Sequence, residues 1–147
     1  MVEQFNDEAE RAMQHARRIA KNSDKGCVLS DYLLSGLLED RANGACRILR
    51  TLSLNFDEVT LGAIQPSESP LTPAEEAEIV DTPRVIQIMK LAKKAAKHFQ
   101  KDSVGTEHIL LAIMQDLENQ SNAALILSRN GITADIVMSE ISNLDKQ

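Results

Sequence analysis

The chain repeats one pattern of apolar positions at two places. In the first segment the apolar positions recur at spacings of three and four residues, and they are Ala9, Ala12, Met13, Ala16, Ile19 and Ala20. In the second segment the same spacing is kept by Val85, Ile88, Met89, Ala92, Ala95 and Ala96. An α-helix places positions spaced in this way on one face. Each segment is therefore predicted to form an amphipathic helix.

A tandem duplication explains the recurrence. A shift of 76 positions carries Met13 onto Met89, and it also aligns Val28 with Val104 and Leu34 with Leu110. Beyond the first half of each copy the second copy needs two more residues, a short loop insertion. We interpret 1–147 as a single domain with repeat one at 1–64, a linker at 65–81 and repeat two at 82–147. The linker is rich in proline, serine and glutamate, which is typical of a solvated connector.

Each repeat is predicted to contain four helices. Asn6 and Thr82 are suited to cap the first helix of each repeat, and Ser30 and Thr106 the second. The third helices are predicted at about 44–52 and 121–129, with Gly131 as a stop signal, and the fourth from about 55 and 133. No segment alternates with period two over a strand length, so no sheet is expected. The predicted fold is all-α, a pseudo-twofold eight-helix bundle made from a duplicated four-helix unit.

Composition and charge exclude several classes of function. The formal net charge is -6 and aromatic residues are only 3% of the chain, so neither nucleic acid nor a membrane surface is an expected partner. The first twenty residues carry acids and no apolar run, which argues against a secretory signal. Cys27 and Cys46 lack the spacing of a disulfide framework or a metal site. The chain is expected to be cytoplasmic and to need no metal or cofactor.

One segment resembles a known family. The sequence VGTEHILLAI at 104–113 is similar to a motif repeated in the N-terminal domain of Clp ATPases, most of all in the ClpC subfamily. The duplication supports this resemblance, because Phe5 precedes Asp31 by the same interval as Asp81 precedes Glu107. Repeat one diverges from the family pattern: it has Leu29-Ser30-Asp31-Tyr32 where GTEH is usual.

The resemblance implies an all-helical domain that docks substrates or adaptors, including proteins phosphorylated on arginine. It implies that the acid of each motif faces the guanidinium and that the polar residue opening each repeat helps to hold the phosphate. Carried over by position, the candidates are Glu107 with Thr82 and Asp31 with Asn6. The alternative is that Asp31 and Glu107 only offset the dipole of the helix that each begins, which is worth about 0.3–1 kcal/mol.

A second candidate surface is a run of basic residues without an acid among them. It spans eighteen residues, and its members are Arg84, Lys90, Lys93, Lys94, Lys97 and Lys101. This basic face is interpreted either as a docking surface for an acidic adaptor or as the solvated side of an amphipathic helix.

The leading hypothesis is a binding module, not an enzyme, that recruits protein substrates and adaptors to Clp ATPase modules joined to it in a longer chain. A stand-alone regulator that competes for the same ligands is the alternative, because no GxxxxGK[ST] nucleotide-binding motif occurs in the chain. A third hypothesis, a hydrolase using Glu107 and His108, lacks a nucleophile or metal-ligand spacing. The isolated domain is expected to be a monomer, since each repeat covers the apolar face of the other.

Overall fold

The structure is a computed structural model that describes residues 4–22, 27–40, 42–53, 73–74, 79–115 and 127–145. Its helices are α1 (Asp7–Asn22), α2 (Ser30–Glu39), α3 (Gly44–Thr51), α4 (Pro83–His98), α5 (Thr106–Gln115) and α6 (Ala134–Asp145). Its two short strands are β1 (Cys27–Val28) and β2 (Val80–Asp81). The predicted all-α class is confirmed. The predicted helix from about residue 55 lies outside the described residues, and only 127–129 of the predicted 121–129 helix are described.

The two repeats bury the same positions. All twelve apolar residues that define the two amphipathic patterns are buried, and they lie on α1 and α4. The apolar positions of α2 and α5 also correspond, because Leu33, Leu34 and Leu37 are buried like Ile109, Leu110 and Ile113. The described residues of both repeats contribute to one hydrophobic core. The helical pattern in the sequence therefore predicts the core correctly.

The repeats are joined by a reciprocal exchange of backbone hydrogen bonds. The start of repeat one pairs with repeat two, where the Val104 N–H donates to the Gln4 carbonyl (2.8 Å) and the Asn6 N–H donates to the Val104 carbonyl (2.9 Å). The start of repeat two pairs with repeat one through the parallel strands β1 and β2, which align Val28 with Asp81. Val28 and Val104 are equivalent under the duplication, so the exchange has the pseudo-twofold symmetry that the sequence predicts.

Two local predictions are wrong. A sheet is present, although each of its strands has only two residues, because its hydrogen bonds join separate repeats and need no periodic pattern along one segment. Asp81, which the sequence analysis places in the linker, lies in β2 and aligns with Val28. Ser30 and Thr106 do not cap their helices either. Each is the first helical residue, and the N-cap position of α2 is Leu29.

Other helix ends agree with the sequence. The Asn6 side chain accepts the Ala9 N–H (2.9 Å) at the start of α1, and Thr82 caps α4 with Pro83 in its first turn. Gly131 has φ of +81°, the left-handed conformation for which glycine is suited after a helix. Thr133 caps α6 by accepting the Ile136 N–H (3.3 Å).

Gly36 allows α1 and α2 to approach each other closely. A Cβ atom built on Gly36 would overlap the backbone carbonyl oxygen of Ala12. An alanine in a helix interior normally stabilises a protein by up to about 1 kcal/mol relative to glycine, whereas overpacking a core costs about 1–3 kcal/mol. We therefore expect Gly36→Ala to lower the free energy of unfolding, measured by urea denaturation.

The control for this prediction is Ser35→Ala on the same helix. Ser35 is only half-buried, so its replacement should leave the free energy of unfolding unchanged or slightly higher. An increase in stability for Gly36→Ala would show that the two helices separate at little cost.

Candidate functional site

The hydrogen bonds between the repeats place the start of repeat two, at Thr82, next to the acidic turn of repeat one, which is the first turn of α2 and carries Asp31. Together they line a cavity of about 260 Å³, here called the Asp31 pocket, whose walls are Leu29, Ser30, Asp31, Thr82, Pro83 and Arg84. Both α2 and α4 begin at this cavity. The first N–H groups of a helix have no partner within the helix, and helix starts favour anions. The pocket thus combines a carboxylate, a hydroxyl, a guanidinium and two helix starts.

Thr82 is held in the Asp31 pocket by hydrogen bonds to both repeats. Its hydroxyl donates to the Val28 carbonyl of repeat one (2.9 Å) and accepts the Val85 N–H within repeat two (3.4 Å). Its own N–H donates to the same Val28 carbonyl (3.3 Å). Thr82 therefore caps α4 and fixes the start of this helix against β1.

The structure pairs the candidate residues differently from the sequence interpretation. Thr82 lines the same cavity as Asp31, not a site with Glu107. The Asn6 N–H donates a hydrogen bond to the carbonyl of Val104, which lies close in sequence to Glu107. The predicted pairing of Glu107 with Thr82 and of Asp31 with Asn6 is therefore wrong. Each candidate site is built from both repeats.

The acidic turn of repeat two, which is the first turn of α5 and carries Glu107, is closely packed. A Cβ atom on Gly44 or on Gly105 would overlap the Glu107 carboxylate, so both glycines make room for it. The neighbouring Thr106 hydroxyl accepts the Ala45 N–H of repeat one (3.0 Å) and is fully buried. The Glu107 carboxylate thus lies at the start of α3, where a negative charge stabilises the helix. We call Glu107, Gly44, Gly105, Asn6 and Glu8 the Glu107 cluster.

Glu8 adds a second carboxylate to the Glu107 cluster. Burial is the largest cause that raises the pKa of Glu8, and repulsion from Glu107 and Asp40 raises it further. The positive charges of Arg11 and Arg47 partly offset this rise. The sequence interpretation did not select Glu8, Gly44 or Gly105. The alignment of the repeats could have identified Glu8, whereas the roles of the glycines depend on contacts between repeats.

His108 has a structural role next to Glu107. Its side chain is 1% exposed, its Nδ1 accepts the Gly105 N–H (2.9 Å), and its ring stacks on Phe99 with centroids 6.2 Å apart. The Glu107 Oε1 atom is 3.7 Å from the same Nδ1. Because this nitrogen already accepts a hydrogen bond, it is unsuited to act as the base that the hydrolase hypothesis requires.

The basic face lies along α4. Lys90, Lys94 and Lys97 are exposed and Lys93 is half-buried, and within the described part of the chain these four make no ion pair. Arg84 belongs to the Asp31 pocket, and Lys101 follows the end of α4.

The basic face borders a second cavity. This cavity, of about 520 Å³, lies between α4, α5 and α6; it is lined by Lys94, His98 and Gln115 and by the apolar residues Leu91, Ala95, Leu111, Ala134 and Met138. Basic and apolar groups thus meet at one surface of repeat two.

The fold is an all-α domain built by duplication, and each of its two candidate sites is formed by residues of both repeats. Comparisons with known proteins identify the family of this domain. Residues 4–130 match the model of the Clp repeat (R) N-terminal domain. The chain belongs to this family. No helix among the described residues is long and apolar enough to cross a membrane.

The chain is similar to ATP-binding subunits of the Clp protease. The chain is 25% identical over 126 residues to ClpC of Staphylococcus saprophyticus and 26% identical over 126 residues to ClpC of Staphylococcus epidermidis. Each match covers 84% of this chain and 15% of the relative. The chain thus spans a small part of the length of these proteins.

Solved structures show the same fold. The Hsp104 N-terminal domain from Candida albicans superposes with a TM-score of 0.71 at 19% identity, covering 97% of this chain and 92% of that one. The N-terminal domain of ClpD from Arabidopsis thaliana gives a TM-score of 0.60 at 18% identity, covering 96% and 97%. These similarities support the duplicated helical architecture.

Thr82 provides a test of how strongly the Asp31 pocket depends on contacts between repeats. Thr82→Val keeps the shape but removes the hydroxyl bonds to Val28 and Val85, so we expect the free energy of unfolding to fall by about 1–2 kcal/mol. Thr82→Ser should retain most of the stability. Thermal and urea unfolding measure both.

The matched control is Thr133→Val, which removes only the exposed cap of α6. Its effect should be smaller than that of Thr82→Val. Equal losses in the two variants would mean that the bond from Thr82 to repeat one adds nothing to stability.

Proposed function

We propose that this chain is a docking domain that recruits protein substrates or adaptors to a Clp-type protein-unfolding ATPase for degradation or remodelling. Membership of the Clp repeat N-terminal domain family supports the proposal, as do the ClpC relatives. In this proposal the chain binds and does not catalyse. A stand-alone regulator competing for the same ligands would use the same surfaces, and a reading frame that continues into a nucleotide-binding motif would distinguish the two.

We also propose that the Asp31 pocket recognises phosphorylated arginine. One observation carries this proposal: a single cavity combines a carboxylate with the starts of two helices and the Arg84 guanidinium. A carboxylate can bind a guanidinium through two parallel hydrogen bonds. Backbone N–H groups at helix starts bind phosphate. The two halves of a phosphoarginine side chain would thus meet complementary groups.

A calorimetric titration of the purified chain with free phosphoarginine tests this proposal. We expect saturable binding to the unaltered protein and a loss of at least tenfold in affinity for Asp31→Ala, because the guanidinium loses its carboxylate partner. Free arginine and phosphoserine, each carrying only part of the ligand's chemistry, should bind more weakly.

The control variant is Asp135→Ala, which also removes an acid from the first turn of a helix, here α6. It should bind phosphoarginine like the unaltered protein. An absence of binding at millimolar ligand would contradict recognition of phosphoarginine and leave protein adaptors as the ligands.

The basic face supports a second mode of docking, by acidic adaptors. Lys94 lines a largely apolar cavity, and the other three lysines of α4 make no ion pair in the described region. An acidic segment with an apolar anchor is therefore complementary to this surface. A fluorescent peptide with glutamates flanking a Leu-Phe pair serves as the probe.

We expect the triple variant Lys90→Glu, Lys94→Glu, Lys97→Glu to abolish binding of this peptide, measured by fluorescence anisotropy. Binding to the unaltered protein should weaken as salt is raised, because exposed charges are screened. Arg129→Glu, a charge reversal at an exposed residue of repeat two outside α4, should have little effect. Equal loss in both variants would contradict a specific basic face.

A further inference from the structure

The duplication allows the two candidate sites to be compared position by position. Thr82 and Asn6 are equivalent, and each caps the first helix of its repeat. Two residues later the repeats differ in charge: Arg84 of repeat two corresponds to Glu8 of repeat one. Both residues lie in the first helical turn, at the start of the helix that contributes to each site. Arg84 therefore attracts an anion, whereas Glu8 at the equivalent position repels it.

The Asp31 pocket has balanced charges. Asp31 supplies one negative charge and Arg84 one positive charge to the lining of the same cavity. In the part of the chain that the structure describes, Arg84 makes no ion pair. A ligand that carries a cation next to an anion can therefore place each charge opposite a group of the other sign.

The Glu107 cluster has the opposite character. After burial, repulsion from Glu107 is the largest cause that raises the pKa of Glu8, and repulsion from Asp40 adds to it. A phosphate group placed there would meet two carboxylates where the Asp31 pocket offers a carboxylate and a guanidinium.

The Glu107 carboxylate is also already engaged in packing. It fills the space left by the missing side chains of Gly44 and Gly105, and only 18% of the Glu107 side chain is exposed. A ligand guanidinium would have to draw the carboxylate away from this position at the start of α3.

We infer that the chain binds its phosphorylated cationic ligand at one site, the Asp31 pocket, with Arg84 as the residue that selects for the anion. The Glu107 cluster is a structural contact between repeats that excludes anionic ligands. This inference rests on the proposed function, because it specifies which of two equivalent sites acts and why.

The first test is stoichiometry and position of binding on the unaltered protein. We expect one phosphoarginine per chain by calorimetry. In amide NMR spectra, saturable shifts should be confined to the region of Ser30, Asp31 and Thr82. A stoichiometry of two, or shifts centred on Asn6 and Glu107, would overturn the inference while leaving the proposed ligand intact. No binding at all would overturn both the ligand and the inference.

The second test exchanges the charges between the sites. Arg84→Glu should lower the affinity for phosphoarginine at least tenfold, whereas Arg84→Lys should restore part of it. Because Arg84 is assigned to the anion, Arg84→Gln should reduce the preference for phosphoarginine over free arginine, a ratio that a purely structural role would not change. Arg129→Glu reverses a charge at an exposed residue outside the Asp31 pocket and the basic face, and it should leave this ratio unaltered.

Glu8→Arg completes the comparison. It should leave binding at the Asp31 pocket within about twofold of the unaltered protein, because Glu8 is part of the other site. Retained affinity in Arg84→Glu, together with loss in Glu8→Arg or Glu107→Gln, would overturn the assignment. Thermal unfolding of each variant shows whether a loss of binding reflects a loss of folded protein.

Discussion

The structure depends on the exchange of short backbone segments between its two repeats. Val28 and Val104 each accept or donate hydrogen bonds at the start of the other repeat. Buried backbone groups must be paired, and here each repeat completes the pairing of the other. The exchange therefore adds specificity to the apolar packing between the repeats, because each hydrogen bond determines which backbone groups face each other.

The same exchange determines where the candidate sites are. Each site lies where the acidic turn of one repeat meets the opening residues of the other, so neither repeat alone could form it. Thr82 illustrates the coupling, because one hydroxyl both caps α4 and bonds to the Val28 carbonyl. A change in the packing between repeats would therefore alter both sites as well as stability.

The fold could largely be predicted from the sequence, whereas the arrangement of the sites could not. Helical periodicity identifies the buried residues of α1 and α4, since burial on one face imposes that period. Duplication shows that Asp31 and Glu107 are equivalent, but it does not show whether each faces the opening residues of its own repeat or of the other. Two-residue strands such as β1 carry no periodic pattern. The pairing of β1 with β2, which places the start of repeat two next to Asp31, is therefore not visible in the sequence.

Duplicated sites need not keep the same chemistry once a single fold contains both. Substitution at one site leaves the other available for binding, and a carboxylate that no longer binds ligand can stabilise the fold instead. In the proposed one-site arrangement Glu107 fits this description, since its carboxylate lies against Gly44 at the start of α3. The positive charge of Arg84 and the negative charge of Glu8 at the equivalent position show that the two repeats differ in electrostatics while sharing a common backbone arrangement.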